Sequence, residues 1–249
     1  MQLDAFLASV ERHVPALFDD VVVLYRTTDE RHEAAYEQLK VDRRDAQWVA
    51  ESSFRDDLLS LCGNEHQLVF HTDDDVFFSA VPPFELRDDE VCFSLRLGLN
   101  TTYCYPLDVT ERLADPEVEG DRISWAWRLQ PPGAYSYPLA LNGHVFRAAE
   151  AHVWLASVHY STPNELESVL QRLNDHTRPR MASLAHSVVV SIPANIVNQT
   201  FSNRHGGLHD IASLNERFLR GERIAPERMD FSLITACHQE IAFAFRRGR

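Results

Sequence analysis

Apolar and polar positions alternate along the first half of the chain in a way that predicts strands separated by helices. Two intervening segments, 27–40 and 53–63, are rich in helix formers, and Thr28 or Asp29 is suited to cap the first of them. The order strand, helix, strand, helix, strand predicts a parallel sheet with right-handed crossovers. The strands are predicted at DVVVLYR (20–26), WVAES (48–52) and HQLVFHT (66–72).

The remaining segments are less regular but still carry interpretable patterns. At the start of the chain, five apolar residues fall on one helical face and predict a helix that packs against the core. The later runs EVCFSLRLG, ISWAWRL and SVVVSIPANIV read as strands, and helices are predicted near 148–157 and from TPNELESVLQRL. With no break in composition, we expect a single α/β domain over residues 1–249. The five residues of the first helical face are Leu3, Phe6, Leu7, Val10 and Val14.

Composition narrows the class of protein. The 249 residues are 45% apolar, enough for one sizeable core, and no run reaches the 18 apolar residues of a membrane helix. The first residues are acidic and amphipathic where a signal peptide has a basic region, and the four cysteines show no metal-binding spacing. We therefore expect buried free thiols, a cytoplasmic protein and no membrane span. A net charge of −13 also argues against nucleic acid as a partner.

Three consecutive aspartates, Asp73, Asp74 and Asp75, follow the third predicted strand. Ligands of parallel sheets collect at the carboxyl ends of the strands, where this triplet is expected. In an extended chain Asp73 and Asp75 point to one side and Asp74 to the other. Two carboxylates on one face raise each other's pKa unless a cation lies between them, and oxygen ligands suit Mg²⁺ or Mn²⁺. The triplet thus predicts a metal site for a diphosphate, while a solvated acidic turn is the simpler alternative.

The segments VVVLYRTTD and VFHTDDDVFF together resemble the nucleotide-sugar glycosyltransferases of GT-A type with their DxD motif. Later segments, SYPLALNGHVFR, PNELE, SIPANIV and LNERFLRGERI, are similar to the acceptor side and C-terminal part of bacterial members. The resemblance implies a Rossmann-type, mostly parallel sheet flanked by helices, with a mixed second half. Residues 1–90 would form the nucleotide-binding half, and residues 91–249 the acceptor-binding half with the C-terminal segment.

The resemblance also implies roles for individual residues. Asp73 and Asp75 would hold Mn²⁺ or Mg²⁺, and Asp74 would share the ion if the local backbone is twisted. A late metal ligand is expected at His205, with His209 as its substitute. The residues expected to bind the nucleotide, most simply that of a UDP-sugar, are Tyr25, Arg26, Thr27, Arg55, Asp73 and Asp74.

An inverting transfer also needs a base near the acceptor hydroxyl, and Glu165 is the first candidate. Thr162, Pro163 and Glu165 form a capping box at a predicted helix start, so Glu165 has a purely structural alternative role. Glu167 and Asn164 are weaker candidates in the same turn. The residues expected to contact acceptor hydroxyls are Asn142, Gly143 and His144.

The expected function is therefore the metal-dependent transfer of a sugar from a nucleoside-diphosphate sugar to a glycan or small-molecule acceptor. One alternative is a nucleotidyltransferase that makes such sugars, but the segment LYRTTDERHE lacks the glycines of a phosphate loop. A second is a non-catalytic binding subunit with a GT-A-like fold. The chain contains no GxSxG, P-loop or GxGxxG pattern, which excludes the usual hydrolase, NTPase and dinucleotide-binding signatures.

Overall fold

A computed structural model of the protein describes residues 1–63, 66–173, 178–194 and 206–248. In these ranges the helices are α1 (Gln2–His13), α2 (Glu30–Asp42), α3 (Phe54–Leu61), α4 (Ala148–Ser157), α5 (Pro163–Leu170) and α6 (Ile211–Leu219). The strands are β1 (Val22–Tyr25), β2 (Gln47–Ala50), β3 (Gln67–Val69), β4 (Asp75–Phe77), β5 (Glu90–Ser94), β6 (Tyr103–Cys104), β7 (Val109–Thr110), β8 (Glu117–Glu119), β9 (Arg122–Ala126), β10 (His144–Arg147), β11 (Arg180–Leu184), β12 (Val189–Ser191), β13 (Glu222–Ile224) and β14 (Phe245–Arg247).

A six-stranded mixed sheet forms the centre of the fold, with the strand order β3-β10-β5-β11-β9-β8. Only β5 and β11 run parallel in this sheet, and its other neighbouring strands are antiparallel. The α/β class is confirmed, but the expectation of a mostly parallel sheet is not met among the described strands. A short β-branched run predicts that a strand forms but not which strand pairs with it, because pairing depends on contacts distant in sequence.

The unit β1–α2–β2 is the part of the first half that forms as predicted. Its two strands pair in parallel from Val22 with Gln47 to Tyr25 with Ala50. Asp29 caps α2, since its carboxylate accepts the backbone N–H of His32 at 2.9 Å. The third predicted strand does not join this pair, because β3 lies at the edge of the main sheet and is antiparallel to β10.

Helix α1 packs its apolar face against the central sheet, as its pattern predicts. Phe6, Leu7 and Val10 lie in one buried cluster with Phe77 of β4 and Phe93 of β5. This contact fixes β4, which pairs only with β12 among the described strands. The aspartates immediately before β4 are thereby held close to the main sheet.

The four cysteines are free thiols buried in the protein, as expected from their apolar surroundings. Across the ranges that the structure describes, none of the helices has the length and apolar character needed to cross a membrane.

Candidate active site

A large cleft of about 1830 Å³ opens between segments that are far apart in sequence. Helices α1, α2, α3 and α6 contribute to its lining, as do the end of β1, the turn before β4, the segment before β10 and the start of α5. The last four of these places contribute Tyr25, Arg26, Thr72, Asp73, Asp74, Asn142, His144, Asn164 and Glu167. Several residues predicted from sequence to act together therefore line one cavity.

The aspartate triplet is divided between the cleft and the core. Asp73 and Asp74 form a turn and line the cleft, whereas Asp75 begins β4 and is 1% exposed. The Asp75 carboxylate lies 2.7 Å from His71 Nδ1 and accepts the Ser191 hydroxyl at 2.6 Å. Pairing Asp73 with Asp75 as metal ligands assumed an extended chain, and the turn at residues 73–74 removes that geometry. Asp73 and Asp74 are the two aspartates of the triplet that line the cleft.

Electrostatics distinguish Asp74 from Asp75. Burial, reinforced by the charges of Asp75 and Asp73, raises the pKa of Asp74 to about 7. Burial also acts to raise the pKa of Asp75, but the hydrogen bond and charge of His71, the Ser191 hydroxyl and the Arg96 charge outweigh it and lower that pKa. Asp75 therefore stays ionised in the core, while the ionised form of Asp74 is unfavourable below about pH 7 despite the hydrogen bond from the Thr72 hydroxyl.

These carboxylates have the chemistry for a divalent cation. Asp73 and Asp74 offer hard oxygen ligands to the cleft, and a cation between them would relieve the unfavourable charge on Asp74. Within the described ranges no group of three His, Cys, Asp or Glu side chains is arranged to hold a metal by itself. An ion here would complete its coordination with water and substrate oxygens, as Mg²⁺ usually does.

Asn142 connects the two aspartates through a short hydrogen-bond network. Its Nδ2 donates to Ser191 Oγ at 2.8 Å and to Thr72 Oγ1 at 3.1 Å. Ser191 in turn donates to Asp75, and the Thr72 hydroxyl donates to Asp74 Oδ1 at 2.5 Å. Asn142 Oδ1 is buried and has no hydrogen-bond partner among the described residues, so this side chain retains an acceptor for a ligand.

The glycine after Asn142 has a conformational role. Gly143 has φ of +63°, which a residue with a Cβ rarely adopts, so the chain turns here into β10. Gly143 itself is not among the residues that line the cleft. His144 forms part of the cleft wall but is 2% exposed, with Nδ1 3.2 Å from the Pro138 carbonyl oxygen. Burial, aided by the Arg96 charge, lowers the pKa of His144 to about 3, so its ring is neutral.

The predicted nucleotide-binding residues are only partly gathered at the cleft. Tyr25 lines it, but one ring face stacks on Tyr36 with centroids 4.7 Å apart. Arg26 is exposed at the cleft and lies 3.8 Å from Glu51. Thr27 is not among the lining residues. Lys40 Nζ also donates to the Tyr25 hydroxyl at 2.6 Å, and Trp48 packs against the ring with centroids 6.1 Å apart, so only the remaining ring surface of Tyr25 is open to a base.

Arg55 has a structural role at a different place. Its guanidinium donates to the carbonyl oxygens of Val158 at 3.1 Å and Ala156 at 2.9 Å. These bonds join α3 to the end of α4, outside the cleft lining. The expected contact of Arg55 with a nucleotide is not supported by this position.

Glu165 and Glu167 are two positions apart in α5, so their side chains lie on different faces of the helix. Glu165 is exposed, and its carboxylate accepts the backbone N–H and the hydroxyl of Ser161, both at 2.8 Å. The Thr162 hydroxyl accepts the Glu165 N–H at 3.2 Å, so Glu165 serves the capping box and lies outside the cleft. Glu167 lines the cleft and accepts the Leu141 N–H at 3.1 Å. Burial raises the pKa of Glu167, so the two carboxylates differ both in access to the cleft and in acidity.

Of the two histidines expected as late metal ligands, only His209 lies among the residues that the structure describes. His205 lies outside the described residues. The His209 ring stacks on Phe243 with centroids 3.9 Å apart, and its Nε2 lies 3.2 Å from the Ile241 carbonyl oxygen. His209 is thus engaged with the C-terminal segment.

Sequence reasoning overlooked Arg96, which lines the cleft and is 7% exposed. It is the only charged residue between Glu90 and Asp108, and a lone arginine in such an apolar stretch was a usable signal. The pairing of Asp75 with His71 and Ser191 had no comparable signal.

Comparisons with protein-family models, with curated proteins and with solved structures found no match for this chain.

Proposed function

We propose that the protein is a metal-dependent glycosyltransferase that uses a nucleoside-diphosphate sugar, with a UDP-sugar as the expected donor. The observation that carries the proposal is the shared cleft, in which Tyr25 and Arg26 open onto the same cavity as Asp73, Asp74 and the half-buried Glu167. Its volume of about 1830 Å³ exceeds the roughly 300–1,000 Å³ typical of sites for a single small ligand. A donor and an acceptor bound together require such space.

Asp73 and Asp74 are the proposed ligands of Mn²⁺ or Mg²⁺. Bound there, the ion supplies Lewis-acid stabilisation of the diphosphate leaving group. The Thr72 hydroxyl orients Asp74, because it donates to the Asp74 carboxylate at 2.5 Å. Arg26 and the free part of the Tyr25 ring are the groups proposed to contact the nucleotide.

Glu167 is the proposed general base. A carboxylate whose pKa is raised by burial is better matched to proton removal near neutral pH than an exposed one. The Leu141 N–H fixes one of its oxygens, which orients the carboxylate. Glu167 would take the proton of the acceptor hydroxyl as the hydroxyl oxygen attacks the anomeric carbon, and the bond from that carbon to the β-phosphate oxygen would break to release UDP.

The proposal is tested by measuring UDP released from UDP-sugars with and without Mn²⁺. We expect slow, metal-dependent release, with water replacing the acceptor, and loss of both release and UDP-induced thermal stabilisation in Asp74→Asn. Asp45→Asn is the matched control, since Asp45 is an exposed aspartate outside the cleft.

Metal-independent UDP binding, or full activity of Asp74→Asn, would contradict the metal assignment. Tighter binding of a nucleoside triphosphate, with pyrophosphate released when a sugar 1-phosphate is added, would identify a nucleotidyltransferase instead. Binding of UDP-sugars without any turnover would favour a non-catalytic subunit.

A further inference from the structure

Besides its carboxylates, the cleft is lined by a buried cationic side chain, Arg96. Arg96 follows β5, is 7% exposed and borders the same cavity as Asp74 and Glu167. A buried guanidinium is costly to desolvate unless its charge is paired and its N–H groups are bonded. The partners of Arg96 therefore indicate whether its role is structural.

Arg96 has only neutral hydrogen-bond partners among the described residues. One terminal nitrogen donates to the Asn142 carbonyl oxygen at 3.3 Å, and the other lies 3.1 Å from His238 Nδ1. Burial, aided by the Arg96 charge itself, lowers the pKa of His238 to about 3, so this ring is a neutral acceptor. Asp75 favours the Arg96 charge through space, but its carboxylate is hydrogen-bonded to His71 and Ser191, and no described carboxylate forms a direct ion pair with the Arg96 guanidinium.

Acceptor atoms without donors occur in the same cavity. Asn142 Oδ1 and Glu111 Oε1 are both buried, neither has a hydrogen-bond partner in the part of the chain that the structure describes, and both residues line the cleft. Buried acceptors left unpaired cost stability, and hydroxyl groups of a ligand would satisfy them. The Arg96 charge acts on Glu111 and on Glu167, which places all three in one electrostatic neighbourhood.

We propose that the acceptor is an anionic sugar, whose carboxylate or phosphate group binds Arg96 and whose hydroxyls bind Asn142 and Glu111. The inference rests on the proposed function, because it assigns the second substrate of the same cleft. An arginine fork matches a carboxylate or phosphate with two parallel hydrogen bonds, which a neutral sugar cannot provide. Tyr137, whose ring also lines the cleft, adds a flat surface for a sugar ring.

The test compares methyl glucuronide with methyl glucoside, which differ by the carboxylate, and adds glucose 6-phosphate as the phosphate probe. Dissociation constants are measured by NMR titration at constant ionic strength. We expect the wild type to bind the anionic probes more tightly than the glucoside by about 10- to 100-fold, the range that hydrogen bonds to a charged group support. Arg96→Gln should lose this preference, and Arg96→Lys should retain part of it.

Arg220→Gln is the control for removing a positive charge, because Arg220 is exposed and outside the cleft. Equal binding of glucuronide and glucoside by the wild type would overturn the inference even if Arg96→Gln fails to fold. Unchanged anion preference in folded Arg96→Lys and Arg96→Gln would also overturn it.

A parallel titration of UDP with Mn²⁺ separates the two proposals. Retention of UDP binding by the Arg96 variants is the expected result. Loss of UDP binding together with anion binding would assign Arg96 to the donor diphosphate and overturn the acceptor assignment, while leaving the transferase proposal intact. Anion binding by a wild type that binds no UDP would instead refute the transferase proposal.

Discussion

At the scale of single residues, position within a turn decides which of two similar side chains is available for chemistry. Glu165 and Glu167 belong to the same short segment, yet only Glu167 lines the cleft. The capping function of Glu165 could be read from the sequence, because it depends on local spacing. The burial of Glu167 could not, because it depends on the Leu141 segment, which is distant in sequence.

We predict that Glu167→Gln slows UDP release from the donor by roughly 10²–10⁴, the range associated with loss of a general base. Glu165→Gln is the matched control and should leave turnover nearly unchanged, because Gln also serves a capping box. Initial rates over a range of pH check both variants, and the limb caused by the base should vanish only in Glu167→Gln. The reverse outcome would restore Glu165 as the base.

At the scale of elements, the sequence predicts helices better than strand pairing. The start of α5 follows from Thr162 and Pro163, which are local signals. The partner of β3 is β10, which lies more than seventy residues away in sequence, and no local pattern predicts this pairing. The cleft could be predicted only in part for this reason, since its walls depend on which strands become neighbours.

We predict that Thr162→Ala lowers the free energy of unfolding by about 0.5–2 kcal/mol, because alanine cannot accept the Glu165 N–H. Thr162→Ser retains the hydroxyl and should stay within a few tenths of a kcal/mol of the wild type. Urea unfolding of the three proteins measures both differences. Equal stability of the alanine and serine variants would show that the cap contributes nothing to α5.

At the scale of the whole molecule, adjacent aspartates act on stability with opposite signs. Asp75 has a lowered pKa, so its contribution is present above the ordinary carboxyl pKa and is lost as pH falls through the folded value. Asp74 has a pKa of about 7, so folding becomes less favourable as pH rises from about 4 towards 7, and the penalty persists above that range.

We therefore predict that Asp75→Ala destabilises the protein at pH 8 by roughly 3–5 kcal/mol, the usual effect of removing one partner of a buried charged pair. Asp74→Ala should match or exceed the wild-type stability at pH 8 and have a smaller advantage at pH 5. Urea unfolding of both variants at the two pH values checks the signs. A destabilised Asp74→Ala at pH 8 would refute the electrostatic account of the turn.

The burial of all four thiols has a practical consequence for spectroscopy. Burial raises the pKa of Cys92, Cys104 and Cys237, so few reactive thiolates form in the native state. The native thiols should therefore react slowly with maleimide or spin-label reagents, and one cysteine introduced at the surface would react fastest. Cys62, Cys104 and Cys237 line the cleft, so a bound ligand should slow the alkylation of these three thiols relative to that of Cys92.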